Sequence, residues 1–154
     1  MVPIRIMLVG CGLRSTWFSR ALEAHPEFAL TAMVDVLPEA ALAIARYADR
    51  PDLPVFPDIE QALDAVDVDA VIVATADSEH TVPVLAALQR GKYVYVEKPL
   101  ALTLEDCRAI ILADEAAGRK TMVGFNLRYA PLYQQMHRRI SDGAVGRVLT
   151  IQAD

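Results

Sequence analysis

Short aliphatic runs alternate with helical patterns along almost the whole of this 154-residue chain, and that alternation admits few folds. Ile4–Val9 is an aliphatic run of the kind expected for a strand buried on both faces of a parallel sheet. Further strands are predicted over Phe28–Val34, Leu53–Phe56 (among prolines at 51, 54 and 57), Ala70–Ala74, Tyr93–Glu97 and Thr121–Gly124. Between them lie helical patterns. Ser15–Ala24 offers Trp17, Ala21 and Leu22 as a buried face, and Pro38–Ala48 is opened by its proline. Ile59–Ala65 is short, His80–Arg90 stops at Gly91, and Thr103–Ala117 closes at Gly118. Strands and helices in this order predict an α/β fold, a doubly wound parallel sheet.

Composition narrows the function. A content of 54% hydrophobic and 23% charged residues is that of a globular domain. The net charge of −5, without a basic tract, argues against nucleic acid as a partner. His137-Arg138-Arg139 is read as a solvated helix face. Apolar runs such as Ala70–Ala76 are far shorter than the roughly 20 residues a membrane span needs. Met1–Arg5 leads straight into a strand with no signal-peptide layout, so a cytoplasmic location is expected. Two cysteines, Cys11 and Cys107, have no metal-ligand spacing, and no metal site is expected. Cys107 is placed in the core with Leu104, Ile110 and Ile111; Cys11 is a small residue inside a turn.

After Gly124 the texture changes. Leu132–Ile140 reads as a polar, basic helix, Ser141-Asp142-Gly143 breaks it, and a strand is expected to begin over Val148–Ile151. The reading is therefore a domain over residues 1–125, then a bridge over 126–154 leading into a second domain of which only the first strand is present.

The chemistry-bearing residues fall where the predicted strands end. Gly10-Cys11-Gly12-Leu13-Arg14-Ser15 follows the first strand and opens a helix. In such a turn the first glycine permits the tight bend and the second lets backbone N–H groups approach a pyrophosphate. Ser15 stands at the third fingerprint position, small enough for close packing and able to cap the helix or touch phosphate. Arg14 lends charge to the pyrophosphate or faces solvent. Asp35 ends the second strand at the spacing of an acid that holds ribose hydroxyls and repels a 2′-phosphate, with a helix-cap role before Pro38 as the alternative. Val36 and Leu37 supply no arginine for that phosphate, so NAD is expected over NADP.

Ala74, Thr75 and Ala76 leave the fourth strand at the same edge and are expected to line the cofactor. His80 heads a helix, where the dipole disfavours its charged form; it is read as donating to a ligand or loop, or as a cap. Glu97-Lys98-Pro99 leaves the fifth strand. A buried Lys98 beside Glu97 would have a tunable proton for a substrate hydroxyl; the other reading is a surface ion pair.

Val9-Gly10-Cys11-Gly12, Asp35, the Thr75–His80 segment and Glu97-Lys98-Pro99 together resemble the glucose–fructose oxidoreductase/inositol dehydrogenase family (Gfo/Idh/MocA) over roughly residues 2–125. Gly124-Phe125-Asn126-Leu127-Arg128-Tyr129 is similar to that family's segment crossing into its second domain. The chain departs from the family pattern at Ser15 and at Ala76-Asp77, where proline and asparagine are usual.

The resemblance implies a Rossmann domain binding NAD or NADP, with hydride exchanged with a sugar- or cyclitol-like alcohol. It implies cofactor contacts from Gly10, Gly12, Leu13, Arg14, Ser15, Asp35, Val36, Ala74, Thr75, Ala76, His80, Glu97, Lys98 and Asn126. Lys98 would assist proton transfer, and the Lys98–Pro99 peptide would be cis. The family's histidine and aspartate acid–base residues belong to the second domain, as does the sheet through which a homo-oligomer is expected to form. The expected function is the cofactor-binding part of an NAD(P)-dependent oxidoreductase acting on a polyol, a fragment without turnover of its own. The alternatives are a non-catalytic NAD-binding sensor or scaffold and a methyltransferase; the latter has no role for Glu97-Lys98-Pro99.

Overall fold

The computed structural model describes residues 2–152. They form two compact units, one ending at Gly124 and one beginning at Phe125. The first carries a six-stranded, wholly parallel sheet in the order β3-β2-β1-β4-β5-β6. Its strands are β1 (Ile4–Val9), β2 (Phe28–Val34), β3 (Val55–Phe56), β4 (Ala70–Val73), β5 (Tyr93–Val96) and β6 (Thr121–Val123). Five helices connect them: α1 (Leu13–Glu23), α2 (Pro38–Tyr47), α3 (Ile59–Ala65), α4 (Thr81–Gln89) and α5 (Leu104–Ala116). This is the Rossmann strand order, with its reversal of direction between β1 and β4.

The aliphatic content of the strands is explained by what covers them. Met7 and Val9 of β1 join one buried cluster with Val84, Ala87 and Ile110 of α4 and α5. Ile6 and Leu8, pointing the other way, join a second with Leu22, Ala41 and Ile44 of α1 and α2. Alternate side chains of one strand thus feed two cores, which is why β1 reads as apolar at nearly every position. On β2 the register steps by one residue: Ile6 faces Leu30 but Met7 faces Ala32. Thr31 is the extra residue, its hydroxyl donating to the Ile6 carbonyl at 3.1 Å. The step reverses face parity, so Leu30 and Met33 both reach the second core.

Three local expectations need correction. Trp17 is 71% exposed and Ala21 is exposed; α1 instead buries Ser15, Ser19 and Leu22. These lie on one helical face at i, i+4 and i+7, and the two serines let α1 approach the sheet closely under the glycine turn. The third strand begins at Val55, not Leu53, because Pro54 has no N–H to give the ladder, although its carbonyl accepts from Met33 at 3.0 Å. Cys107 is only partly buried, since Leu104 and Ile111 face outward and Ile110 alone turns to the core.

The second unit holds a 3-10 turn at Asn126–Tyr129 and helix α6 (Pro131–Ser141), whose residues are none of them buried. The strand expected over Val148–Ile151 is not formed: no described strand pairs with it, and an unpaired strand has no ladder to satisfy its backbone. Among the described residues no helix is long and apolar enough to cross a membrane, and no group of three potential ligands is placed to hold a metal.

Candidate functional site

At the carboxyl edge of the sheet, hydrogen bonds tie each strand's exit to its neighbour. Gly10 N donates to Val34 O (2.8 Å), Ala74 N to Val9 O (2.7 Å), Glu97 N to Val73 O (3.0 Å) and Gly124 N to Val96 O (2.8 Å). The loops leaving β1, β2, β4 and β5 are therefore fixed side by side where the strand order reverses, the place open α/β sheets use for ligands.

A cleft of about 570 Å³ opens there, within the range of small-molecule sites. The glycine turn lines it with Gly10, Gly12, Leu13 and Arg14; β2 adds Asp35 and Val36; β4 adds Ala74, Thr75 and Ala76. Sequence reasoning missed Pro57, Asp58 and Ile59 after β3, and Glu79 and Val82 before and within α4. The same edge rule, applied to β3, would have pointed to the first three.

Gly10 has φ +85°, and a Cβ there would lie 2.5 Å from Thr75 N and 2.6 Å from the Ala74 carbonyl carbon. Only glycine lets the turn cross this close to β4. A Cβ on Gly12 would meet nothing within 4 Å. Gly12 is also the N-cap of α1, with no side chain capping it, so the helix presents its first N–H groups without a side-chain acceptor. Open space before an uncapped helix N-terminus is what a pyrophosphate requires.

Asp35 is bound on both oxygens: Cys11 N donates to Oδ2 at 2.7 Å and Leu37 N to Oδ1 at 2.8 Å. It therefore shapes the glycine turn from β2. Leu37, not Asp35, is the N-cap of α2. Each carboxylate oxygen retains a second lone pair for a ligand hydroxyl. Cys11 is buried, its thiol donating to Val34 O at 3.7 Å. Burial first, and then the Asp35 carboxylate, push that thiol up to about 12, so it carries no nucleophilic thiolate at neutral pH.

Three assignments change, those of Ser15, Arg14 and Lys98. The Ser15 hydroxyl is fully buried and donates back to the Gly10 carbonyl, so it braces the turn and neither caps α1 nor reaches toward phosphate. Arg14 is committed to Glu97, with Nε to Oε1 at 2.9 Å and a second contact at 3.4 Å, which further favours its charged form. Glu97 is 6% exposed, so this pair supplies the counter-ion its buried carboxylate needs. Lys98 is exposed, not buried, and its ammonium meets no hydrogen-bond or ion-pair partner among the described residues. The Lys98–Pro99 peptide is cis. His80 is wholly buried and its Nδ1 donates to the Pro99 carbonyl at 2.7 Å, the loop contact expected of it; it stands at the N-cap position of α4, but its side chain makes no capping bond. Neither Glu97, Lys98, Ser15 nor His80 lines the cleft. Asn126 heads the 3-10 turn of the second unit.

Thr75 Oγ1, on the cleft wall, is buried without a hydrogen-bond partner. An orphaned hydroxyl beside an open glycine turn, an uncapped helix and an acid at the end of β2 fits a dinucleotide.

The fold and this edge define a nucleotide-binding α/β domain. Residues 4–125 match the family described as the oxidoreductase family, NAD-binding Rossmann fold, and the chain belongs to that family. Inositol 2-dehydrogenase 2 of Saccharopolyspora erythraea is 36% identical over 153 residues, covering 99% of this chain and 45% of that enzyme. Among solved structures, myo-inositol dehydrogenase from Lactobacillus casei in complex with NAD(H) and myo-inositol aligns with a TM-score of 0.89 at 28% identity, over 96% of this chain and 44% of that one. The WlbA dehydrogenase from Bordetella pertussis in complex with NADH and UDP-GlcNAcA aligns with a TM-score of 0.87 at 28% identity, over 95% and 43%. The chain thus spans less than half the length of these relatives.

Proposed function

We propose that this chain is the cofactor half of a two-domain dehydrogenase and holds NAD across the carboxyl edge of its sheet. The observation that carries the reading is the pairing of the glycine turn with Asp35. The turn is bent closely enough to leave open space at the α1 N-terminus, and Asp35 fixes it from the neighbouring strand. The N–H groups of Gly12, Leu13 and Arg14 would hold the pyrophosphate, Asp35 the adenosine ribose, and Thr75 a hydroxyl further along the cleft. When bound, NAD supplies a hydride acceptor. Lys98, at the end of β5 and with its ammonium unpartnered, would meet the hydroxyl of the alcohol being oxidised and help move its proton. The remaining acid–base groups, the substrate pocket and any subunit interface would belong to a second domain. The segment from Phe125 onward would lead into it. The named relatives support a polyol such as an inositol as the substrate class.

Cofactor choice follows from charge. Asp35, Asp58 and Glu79 line the cleft, while its one arginine, Arg14, is engaged by Glu97. A 2′-phosphate would meet carboxylate with no free cation beside it. Calorimetric titration of the unmodified chain should show NAD binding at least about tenfold tighter than NADP, a difference of about 1.4 kcal/mol. Asp35→Ala should narrow the gap mainly by weakening NAD, because it also removes the acceptor for Cys11 N and loosens the turn. Equal or tighter binding of NADP to the unmodified chain would contradict the assignment.

A further inference from the structure

We propose that His80 is a positioning residue: through the carbonyl of Pro99 it holds the loop that carries Lys98 at the nicotinamide end of the cleft. The inference rests on the NAD reading and on the place given to Lys98. Four polar or charged side chains are buried among the described residues: Ser15, Ser19, His80 and Glu97. Three of them bond to, or form, the loops of the carboxyl edge. Ser15 braces the glycine turn, Glu97 receives Arg14 from that turn, and His80 reaches Pro99, 19 residues away.

A carbonyl only accepts, so the His80–Pro99 bond places the ring proton on Nδ1. His80 sits between the 3-10 turn Asp77–Glu79 and α4, where its own carbonyl accepts from Val84 N at 3.2 Å. Its base is thus anchored in a core helix, and β4 and β5 are adjacent strands. The donor faces the neighbouring loop one residue beyond Lys98. The other ring nitrogen, Nε2, is buried and meets no partner among the described residues. Burying an unpartnered nitrogen costs stability, and an apolar side chain would fill the same space without that cost. What the imidazole adds over such a side chain is the single bond to Pro99.

The test separates the two ends of the cofactor. ADP-ribose contains the adenosine, pyrophosphate and second ribose but no nicotinamide, whereas NADH contains all of them. In titrations of this chain, His80→Gln, whose amide lies one bond too far out to replace Nδ1, should weaken NADH by about tenfold, the scale of one buried hydrogen bond. ADP-ribose affinity should stay within about twofold of the unmodified chain. His80→Asn, whose amide N–H falls near the position of Nδ1, should bring NADH back to within about threefold. If NADH and ADP-ribose weaken together, or if asparagine does no better than glutamine, the positioning role is wrong. Should the glutamine variant not fold, the asparagine variant decides alone: retained NADH affinity supports the role and lost affinity overturns it. An unmodified chain that binds neither ligand would overturn the cofactor reading itself, and this inference with it.

Discussion

Replacing Lys98 with alanine, in a protein where this domain is joined to its substrate domain, should lower turnover by about 10²-fold or more, the usual scale for an acid–base group. NAD affinity should fall by about tenfold at most, because losing one exposed contact costs on the order of 1 kcal/mol. The asymmetry follows from where the residue stands. Lys98 does not line the cleft, so the adenosine and pyrophosphate contacts do not pass through it. It is exposed at the end of β5, one residue beyond a glutamate already neutralised by Arg14. Its charge is therefore free for groups beyond the adenosine and pyrophosphate, the alcohol hydroxyl foremost. An interaction made only as the alcohol proton leaves lowers the barrier without strengthening cofactor binding. Both quantities must be measured on one variant. Surviving turnover with collapsed NAD binding would make Lys98 a cofactor anchor.

The second large effect separates the two glycines of the turn. Gly10→Ala places a Cβ within 2.6 Å of backbone atoms of Ala74 and Thr75, at a φ of +85°. The left-handed backbone costs about 1–3 kcal/mol in a non-glycine residue. Forced overlap in a packed site adds about 1–3 kcal/mol. The sum is a large part of the roughly 5–15 kcal/mol that holds a domain folded. Urea denaturation should register that loss directly, and NADH titration should find binding abolished. Gly12→Ala has no such clash, so its stability should stay within about 1 kcal/mol of the unmodified chain, the scale of ordinary surface changes. Its methyl group nevertheless enters the space reserved for phosphate, and NADH binding should weaken by about tenfold or more, equivalent to about 1.4 kcal/mol. Equal stability of the two variants would contradict the close crossing of the turn over β4.

The parts of this site that were legible in the sequence are those set by local spacing. Gly10 and Gly12 after an aliphatic run, and Asp35 at the end of the next, are separated only by the helix between them. Strand ends in a parallel sheet face one edge whatever the rest of the chain does. What could not be read is long-range pairing. Arg14 and Glu97 are 83 residues apart, and nothing near either marks the other as its partner. Lys98 was the more obvious neighbour for Glu97 in the sequence, but consecutive residues at the end of a strand point to opposite sides. Ser15 looked like a phosphate or cap residue because serine usually is one there; its hydroxyl instead meets the Gly10 carbonyl five residues back. Trp17 misled for a different reason. Hydrophobicity suggested burial, yet α1 turns Ser15, Ser19 and Leu22 to the core, with Phe18 partly buried beside them, and leaves Trp17 on its outer side. The run Val148–Ile151 has strand-like composition, but a strand exists only against a partner.

The central claim is that the turn from Gly10 to Arg14, together with Asp35 and Thr75, receives NAD. Backbone amide NMR of this chain during titration with NAD tests it most directly, since each residue reports for itself. The largest shifts should fall on Cys11, Gly12, Leu13 and Arg14, with further shifts at Asp35, Thr75 and Ala76, saturating together at one equivalent. Shifts that leave the glycine turn unmoved, or that cluster instead around Leu127–Arg138, would contradict it.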